Sequence, residues 1–258
     1  MPFLPLLLTS LGLRAASLPA PRADDFHWRG VVARGKVLEI RGINGDVSAS
    51  AASGNEAEVV GVKTSRDGKP AKVEVRVVQS ADGVTICTVY RPEQTEGCDE
   101  SRDRHRDHDE HDDVTVTFTV KVPAGVRFVG RTVNGGIAAR DLDADVQVAT
   151  VNGSAEASSR GFVEATTVNG SVRVKMGRTD WKGSLDLTTV NGDVTVELPG
   201  SPSMDVRGST LNGSFETDFP LTVSGRFGPR RLNGTLGSGG RRLTLTTVNG
   251  SIHLVHSR

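Results

Sequence analysis

The sequence predicts an all-β fold. It is a β-helix-like β-solenoid built from Asn-Gly repeats of about 20 residues, with an N-terminal strand and hairpin region. Eight of the nine asparagines are followed by glycine, where chance at a glycine content of roughly 12% would supply about one such pair. The last seven pairs are separated by 18, 17, 22, 21, 21 and 16 residues. No segment holds a helical apolar period over about ten residues.

The pairs are Asn44-Gly45, Asn134-Gly135, Asn152-Gly153, Asn169-Gly170, Asn191-Gly192, Asn212-Gly213, Asn233-Gly234 and Asn249-Gly250. Each follows an apolar residue: Ile43, Val133, Val151, Val168, Val190, Leu211, Leu232 and Val248. Three residues after each Asn the chain is apolar again, from Val47 to Ile252, and two after it stands a small or acidic residue. In a two-residue hairpin the flanks of Asn-Gly would share one face. Here one flank is apolar and the other polar every time. The chain is therefore expected to run forward through each pair, with glycine at a bend that needs φ > 0 or close backbone approach. An antiparallel meander through three-residue loops is the alternative. In the solenoid, the eight residues before Asn are expected to stack as one buried ladder.

Taken in order, residues 1–20 read as a secretory signal peptide. Phe3 to Leu13 is an apolar run of eleven residues, too short to span a bilayer, which needs about 20. Small residues suited to cleavage follow it, although no basic residue precedes it. Residues 27–130 form the N-terminal β region, with strands expected at Glu58 to Lys63, Lys72 to Val78, Val84 to Tyr90 and Val114 to Val122. Asp82-Gly83 should turn a hairpin between the second and third. Residues 131–258 form the repeat array, continuous with 27–130 in one domain.

Cys87 and Cys98 are the whole cysteine inventory. In an exported chain this pair reads as a structural disulfide, since metal or redox work would need closer spacing or added ligands. Residues 99–113, DESRDRHRDHDEHDD, hold eight acids, three Arg and three His. Such a run cannot bury enough apolar area to order, so it reads as a solvated loop. Metal ligation by His105, His108, His111 and neighbouring Asp is its alternative.

Composition excludes several functions. The 31 basic and 31 acidic residues balance, which argues against nucleic acid as partner. Aromatics at 4% argue against base- and sugar-stacking sites. There is no nucleophile elbow and no phosphate-binding glycine loop. Asp46 and Asp193 share the post-Asn position, but carboxylates on separate coils are no general acid/base pair. No catalytic, cofactor-binding or metal site is expected, and no transmembrane span.

The run VPAGVRFVGRTVNGGIAARDLDADVQVATVNGSAEA, with TTVNGSVRV and TTVNGDVTV after it, resembles the bacterial putative-adhesin family DUF4097. It is also similar to the related head domain of autotransporter adhesins named for its Gly-Ile-Asn motif, here Gly42-Ile43-Asn44. The likeness spans about residues 37–255. It implies an exported, repetitive β-protein at the bacterial envelope and assigns no functional residue. The function expected is a non-enzymatic extracytoplasmic adhesin or envelope-interaction module, periplasmic, surface-bound or secreted, with an envelope or cell-surface partner. An envelope-stress sensor or ligand- or metal-binding module is one alternative. A glycan-active enzyme on the same scaffold is the other.

Overall fold

The computed structural model describes residues 25–65, 73–90, 92, 97–98, 114–223 and 231–257. The leader-like stretch 1–20 and the charged run 99–113 lie outside the described residues. Every regular element among those described is a β-strand. The fold is the all-β solenoid that the repeat predicts.

Its unit is strand, bend, strand. β2 (Val37–Arg41) passes through the Asn44 bend into β3 (Val47–Ala51), and β8 (Arg127–Arg131) through Asn134 into β9 (Ile137–Leu142). β10 (Val146–Ala149) and β11 (Ala155–Ser159), β12 (Val163–Thr166) and β13 (Val172–Met176), and β14 (Ser184–Thr188) and β15 (Val194–Leu198) repeat the unit. So do β16 (Met204–Ser209) and β17 (Phe215–Thr217), and β20 (Arg241–Thr246) and β21 (Ile252–His256). The first strand of every unit lies in one sheet and the second in the other, each parallel to its equivalents. One strand on its own could bury only half of its alternating side chains. Stacking the units closes a single apolar core between the sheets. Small aliphatic residues fill it, with Val47, Ala155, Val172, Val194 and Ile252 from one sheet and Leu38, Ile40, Leu187 and Leu245 from the other all fully buried.

The N-terminal end of the stack is capped by antiparallel pairing. β1 (Phe26–Val31) pairs with β4 (Glu56–Ser65), β4 with β7 (Val114–Val122), and β7 lies parallel to β3. In the other sheet β5 (Glu74–Ser80) and β6 (Gly83–Val89) form a hairpin whose turn is Ala81-Asp82, and β6 lies parallel to β2. β6 and β7 thus make a further unit with no Asn-Gly. Where the others bend, it carries residues 90–113. The described root of that segment is tied down. Cys87 and Cys98 are joined by a disulfide, the Tyr90 hydroxyl donates to the Val114 carbonyl over 2.8 Å, and Arg76 Nη2 donates to the Pro92 carbonyl.

Two expectations need correction. Asn233-Gly234 is no bend: it lies inside β19 (Arg231–Leu236), antiparallel to β16 and to the short β18 (Thr222–Val223). Its register looks like that of the other copies because alternating residues in a strand give the same apolar spacing as residues around a bend. The residues before Asn are also not a buried ladder. Val133, Val151, Val168 and Leu211 are exposed, Ile43, Val190 and Val248 are half-buried, and only Leu232, inside β19, is buried. The residue one step earlier points inward instead: Thr132, Thr150, Thr167, Thr189, Thr210 and Thr247 are all buried. The bend breaks the two-residue alternation of the strands on either side of it.

The units are also not stacked in chain order. β20 lies between β14 and β16, and β21 between β15 and β17. The last unit therefore fills the gap left between the Asn191 and Asn212 coils. The β16–β19 antiparallel pair carries the chain back to reach it.

Candidate binding edge

The bends stack along one edge of the molecule. In stack order the asparagines are Asn44, Asn134, Asn152, Asn169, Asn191, Asn249 and Asn212. The side-chain amide of each donates to the amide oxygen of the previous one over 2.7–2.8 Å. Each Gly N–H from Gly45 to Gly250 donates to the Asn carbonyl of the next coil at 2.8–3.0 Å. The Gly carbonyl, turned inward, receives no backbone N–H among the described residues. A buried carbonyl without a donor is costly, and the threonines supply one. The Thr132 hydroxyl donates to Gly45, Thr150 to Gly135, Thr167 to Gly153, Thr189 to Gly170, Thr247 to Gly192 and Thr210 to Gly250, over 2.7–3.0 Å. Gly42 holds that place in the first coil, where β7 lies beneath and offers no Asn-Gly carbonyl.

The post-Asn position is structural as well. Asp46 accepts from the Gly136 N–H at 2.7 Å and Asp193 from the Ser251 N–H at 2.8 Å. Ser154, Ser171 and Ser251 make longer equivalents. Asp46 and Asp193 are thus backbone acceptors on coils far apart in the stack. The sequence reading missed the threonines altogether. Their signal was the recurrent Thr two before Asn, present in six of the seven stacked bends.

Outside this scaffold the edge presents a row of aliphatic side chains beside the amide ladder. Val133, Val151, Val168 and Leu211 are exposed, and Val190 and Val248 are half-buried. Neighbouring parallel strands are about 4.8 Å apart, so the row repeats at that interval.

Thr167→Val is expected to lower the unfolding free energy by about 1–3 kcal/mol, because the Gly153 carbonyl loses its only donor among the described residues, in a site 1% exposed. Val168→Thr, at 37% exposure, should change it by less than about 0.5 kcal/mol. Urea unfolding of the two variants measures both, and equal losses would contradict the assignment of the inner position to threonine.

The outer face of the β14-containing sheet carries charge. Glu39 is pushed up by burial, but hydrogen bonds from Arg41 and Thr85 and the charges of Arg41 and Arg131 outweigh that and hold its carboxyl below the ordinary value. Glu164 is pushed the other way, by burial first and then by Asp186 and Asp145, with Arg127 opposing. These three carboxylates come from consecutive coils, a juxtaposition not foreseen in the sequence. Folded Glu164 binds its proton more tightly than the unfolded chain does. Stability should therefore fall as pH rises from the ordinary carboxylate value of 4.5 through the raised one, and stay flat above it. Glu164→Gln should remove that slope and raise the melting temperature slightly at neutral pH, which thermal melts across pH 4–7 would show. A steeper slope in the variant would contradict this.

Among the described residues no helix is long and apolar enough to cross a membrane, and no group of His, Cys, Asp and Glu is arranged to hold a metal ion. The model of the Toastrack DUF4097 family matches residues 33–255. No curated protein matches the chain. Among solved structures, a putative cell adhesion protein from Clostridium sporogenes superposes with a TM-score of 0.47 at 10% identity, covering 90% of this chain and 100% of that one. A putative adhesin from Bacteroides fragilis gives 0.38 at 10% identity, covering 92% and 99%. A third, from Parabacteroides merdae and also described as a putative adhesin, gives 0.25 at 9%, covering 92% and 97%.

Proposed function

The chain belongs to the Toastrack DUF4097 family, and on that premise we propose that it is a non-enzymatic extracytoplasmic binding module. Its role is that of an adhesin or envelope-interaction protein, engaging a cell-surface or envelope component along the Asn-Gly edge. The observation that carries this reading is the seven-bend edge. The Asn amides, the Gly backbone and the buried Thr hydroxyls there are spent on holding the coils together, while a regular row of valines and leucine is left facing solvent. Exposed aliphatic residues in a line, repeated coil after coil, form a ready contact surface. The Cys87–Cys98 disulfide supports an oxidising compartment, and the leader-like residues 1–20 support export.

Fractionation of tagged full-length protein, with protease added to intact cells, tests the location. Recovery in the cytoplasm alone would end this proposal. The triple variant Val133→Ser, Val151→Ser, Val168→Ser should keep its fold and lose binding to cells or matrix. Retained binding would remove the edge as the contact surface.

A sensing module is the second reading. It is favoured by the place of the acidic, His-rich run 99–113, carried between β6 and β7, whose facing ends open at this same edge. Titration of Zn²⁺ into wild-type protein and a 101–111 deletion separates the two readings. Heats lost on deletion would support the sensor, and equal heats would leave the run a spacer. A glycan-active enzyme finds its support in the Asp145, Glu164 and Asp186 trio, and hydrolysis of a polysaccharide lost in Glu164→Gln would be its signature.

A further inference from the structure

Asn-Gly is the dipeptide most prone to succinimide chemistry, because glycine puts no side chain in the path of its own nitrogen. A stack built on seven such bends must suppress that reaction, and the hydrogen bonds show how. The attacking atom is the Gly backbone nitrogen. In six bends its N–H is held by the Asn carbonyl of the next coil: Gly45 by Asn134, Gly135 by Asn152, Gly153 by Asn169, Gly170 by Asn191, Gly192 by Asn249 and Gly250 by Asn212, at 2.8–3.0 Å. In the five inner rungs the Asn amide is also fixed on both sides, as donor to one neighbour and acceptor from the other. Asn44, at one end of the ladder, has no partner among the described residues for its own side-chain N–H, but its Gly45 nitrogen is bonded and buried beneath β7.

The other end differs. Asn212 donates to Asn249, but its side-chain oxygen accepts nothing, and the Gly213 N–H has no acceptor among the described residues. Both residues are exposed. β17, which follows, is three residues long and pairs only with β21. The eighth pair is held differently, with Asn233 and Gly234 extended in β19 between β16 and β18 and Gly234 buried.

We propose that Asn212-Gly213 is a self-modification site of the folded protein, at which Asn212 converts to aspartate and isoaspartate while the ladder protects the other bends. Solvent base takes the Gly213 amide proton, and the nitrogen attacks Cγ of Asn212. The new C–N bond closes a five-membered succinimide as the Cγ–Nδ2 bond breaks, and Nδ2 leaves as ammonia after taking a proton. Water then opens the ring at either carbonyl, returning Asp or isoaspartate at position 212. Neither step needs a cofactor. The product carboxylate cannot donate to the Asn249 side-chain oxygen, and isoaspartate adds one methylene to the backbone leading into β17. The reaction therefore removes the terminal rung of the ladder and shifts the entry into β17, while β16 stays paired with β20 and the six-rung ladder above it is left intact.

The test uses unmodified full-length protein, incubated folded at mildly alkaline pH and, in parallel, in denaturant, followed by peptide mapping for aspartate and isoaspartate at every Asn-Gly. In the folded protein Asn212 should react at least about tenfold faster than Asn44, Asn134, Asn152, Asn169, Asn191 or Asn249, the factor given by a local opening free energy of about 1.4 kcal/mol. In denaturant all should react at similar rates. Asn212→Gln should remove the fast site from the folded protein without creating another. A smaller ratio, or any ladder asparagine reacting as fast as Asn212 in the folded state, overturns the proposal.

Discussion

Truncation after Gly240 is expected to dismantle the C-terminal part of the stack, not to shorten it by one coil. Terminal segments are usually dispensable, but β20 and β21 are an interior rung. β20 pairs with both β14 and β16, and β21 with both β15 and β17. Leu243, Leu245, Ile252 and Leu254 are fully buried. At about 1.5–3 kcal/mol for each buried aliphatic side chain, their loss amounts to roughly 6–12 kcal/mol, comparable to the whole stability of an ordinary domain. Neighbour-only contacts in a solenoid should let the coils up to Leu198 survive. Limited proteolysis should then yield a resistant fragment ending near Leu198, with everything from β16 onward digested. A truncated protein that resists digestion through β19 and melts at the wild-type temperature would contradict the inserted order of the coils.

Gly192→Ala should be strongly destabilising for a single added methyl group. Gly192 sits in mid-stack with φ of 150°, and a Cβ there would press on the carbonyl of Gly170. That atom is backbone, held by the Thr189 hydroxyl, so it cannot turn aside. The same residue donates to the Asn249 carbonyl and accepts from Thr247. Strain and overpacking together should cost on the order of 3 kcal/mol or more. Gly183→Ala is the control. Gly183 has φ of 80° but nothing within 4 Å of a Cβ, so only the conformational cost remains, about 1 kcal/mol. Urea midpoints compare the two, and a Gly192→Ala protein no less stable than Gly183→Ala would refute the close coil-to-coil contact.

The candidate edge was partly visible in advance. Seven of the eight Asn-Gly pairs do bend and stack, since only glycine allows backbones to meet that closely. The residues three after Asn in those seven coils go inside, with Phe215 of the terminal coil only partly buried. The inner role of threonine is hidden in the sequence because strand alternation puts a polar residue beside an apolar one on the outside. What makes Thr189 an inner residue is a carbonyl on the coil beneath it, contributed by Gly170, nineteen residues earlier.

Local chemistry in the sequence determined that this protein is all-β, where its main bends fall, why glycine stands at them and how long one coil is. Those properties depend on neighbours within a few residues. Three things were decided only in the tertiary structure. The Asn249 coil enters the stack ahead of the Asn212 coil, Asn233-Gly234 is a strand, and valine faces water while threonine faces the core. Near-identical coils carry near-identical edges, so the sequence of any one of them is compatible with several neighbours. The order is chosen by which arrangement pairs every strand edge and gives each buried carbonyl a donor at once, a condition that exists only when all the coils are in place.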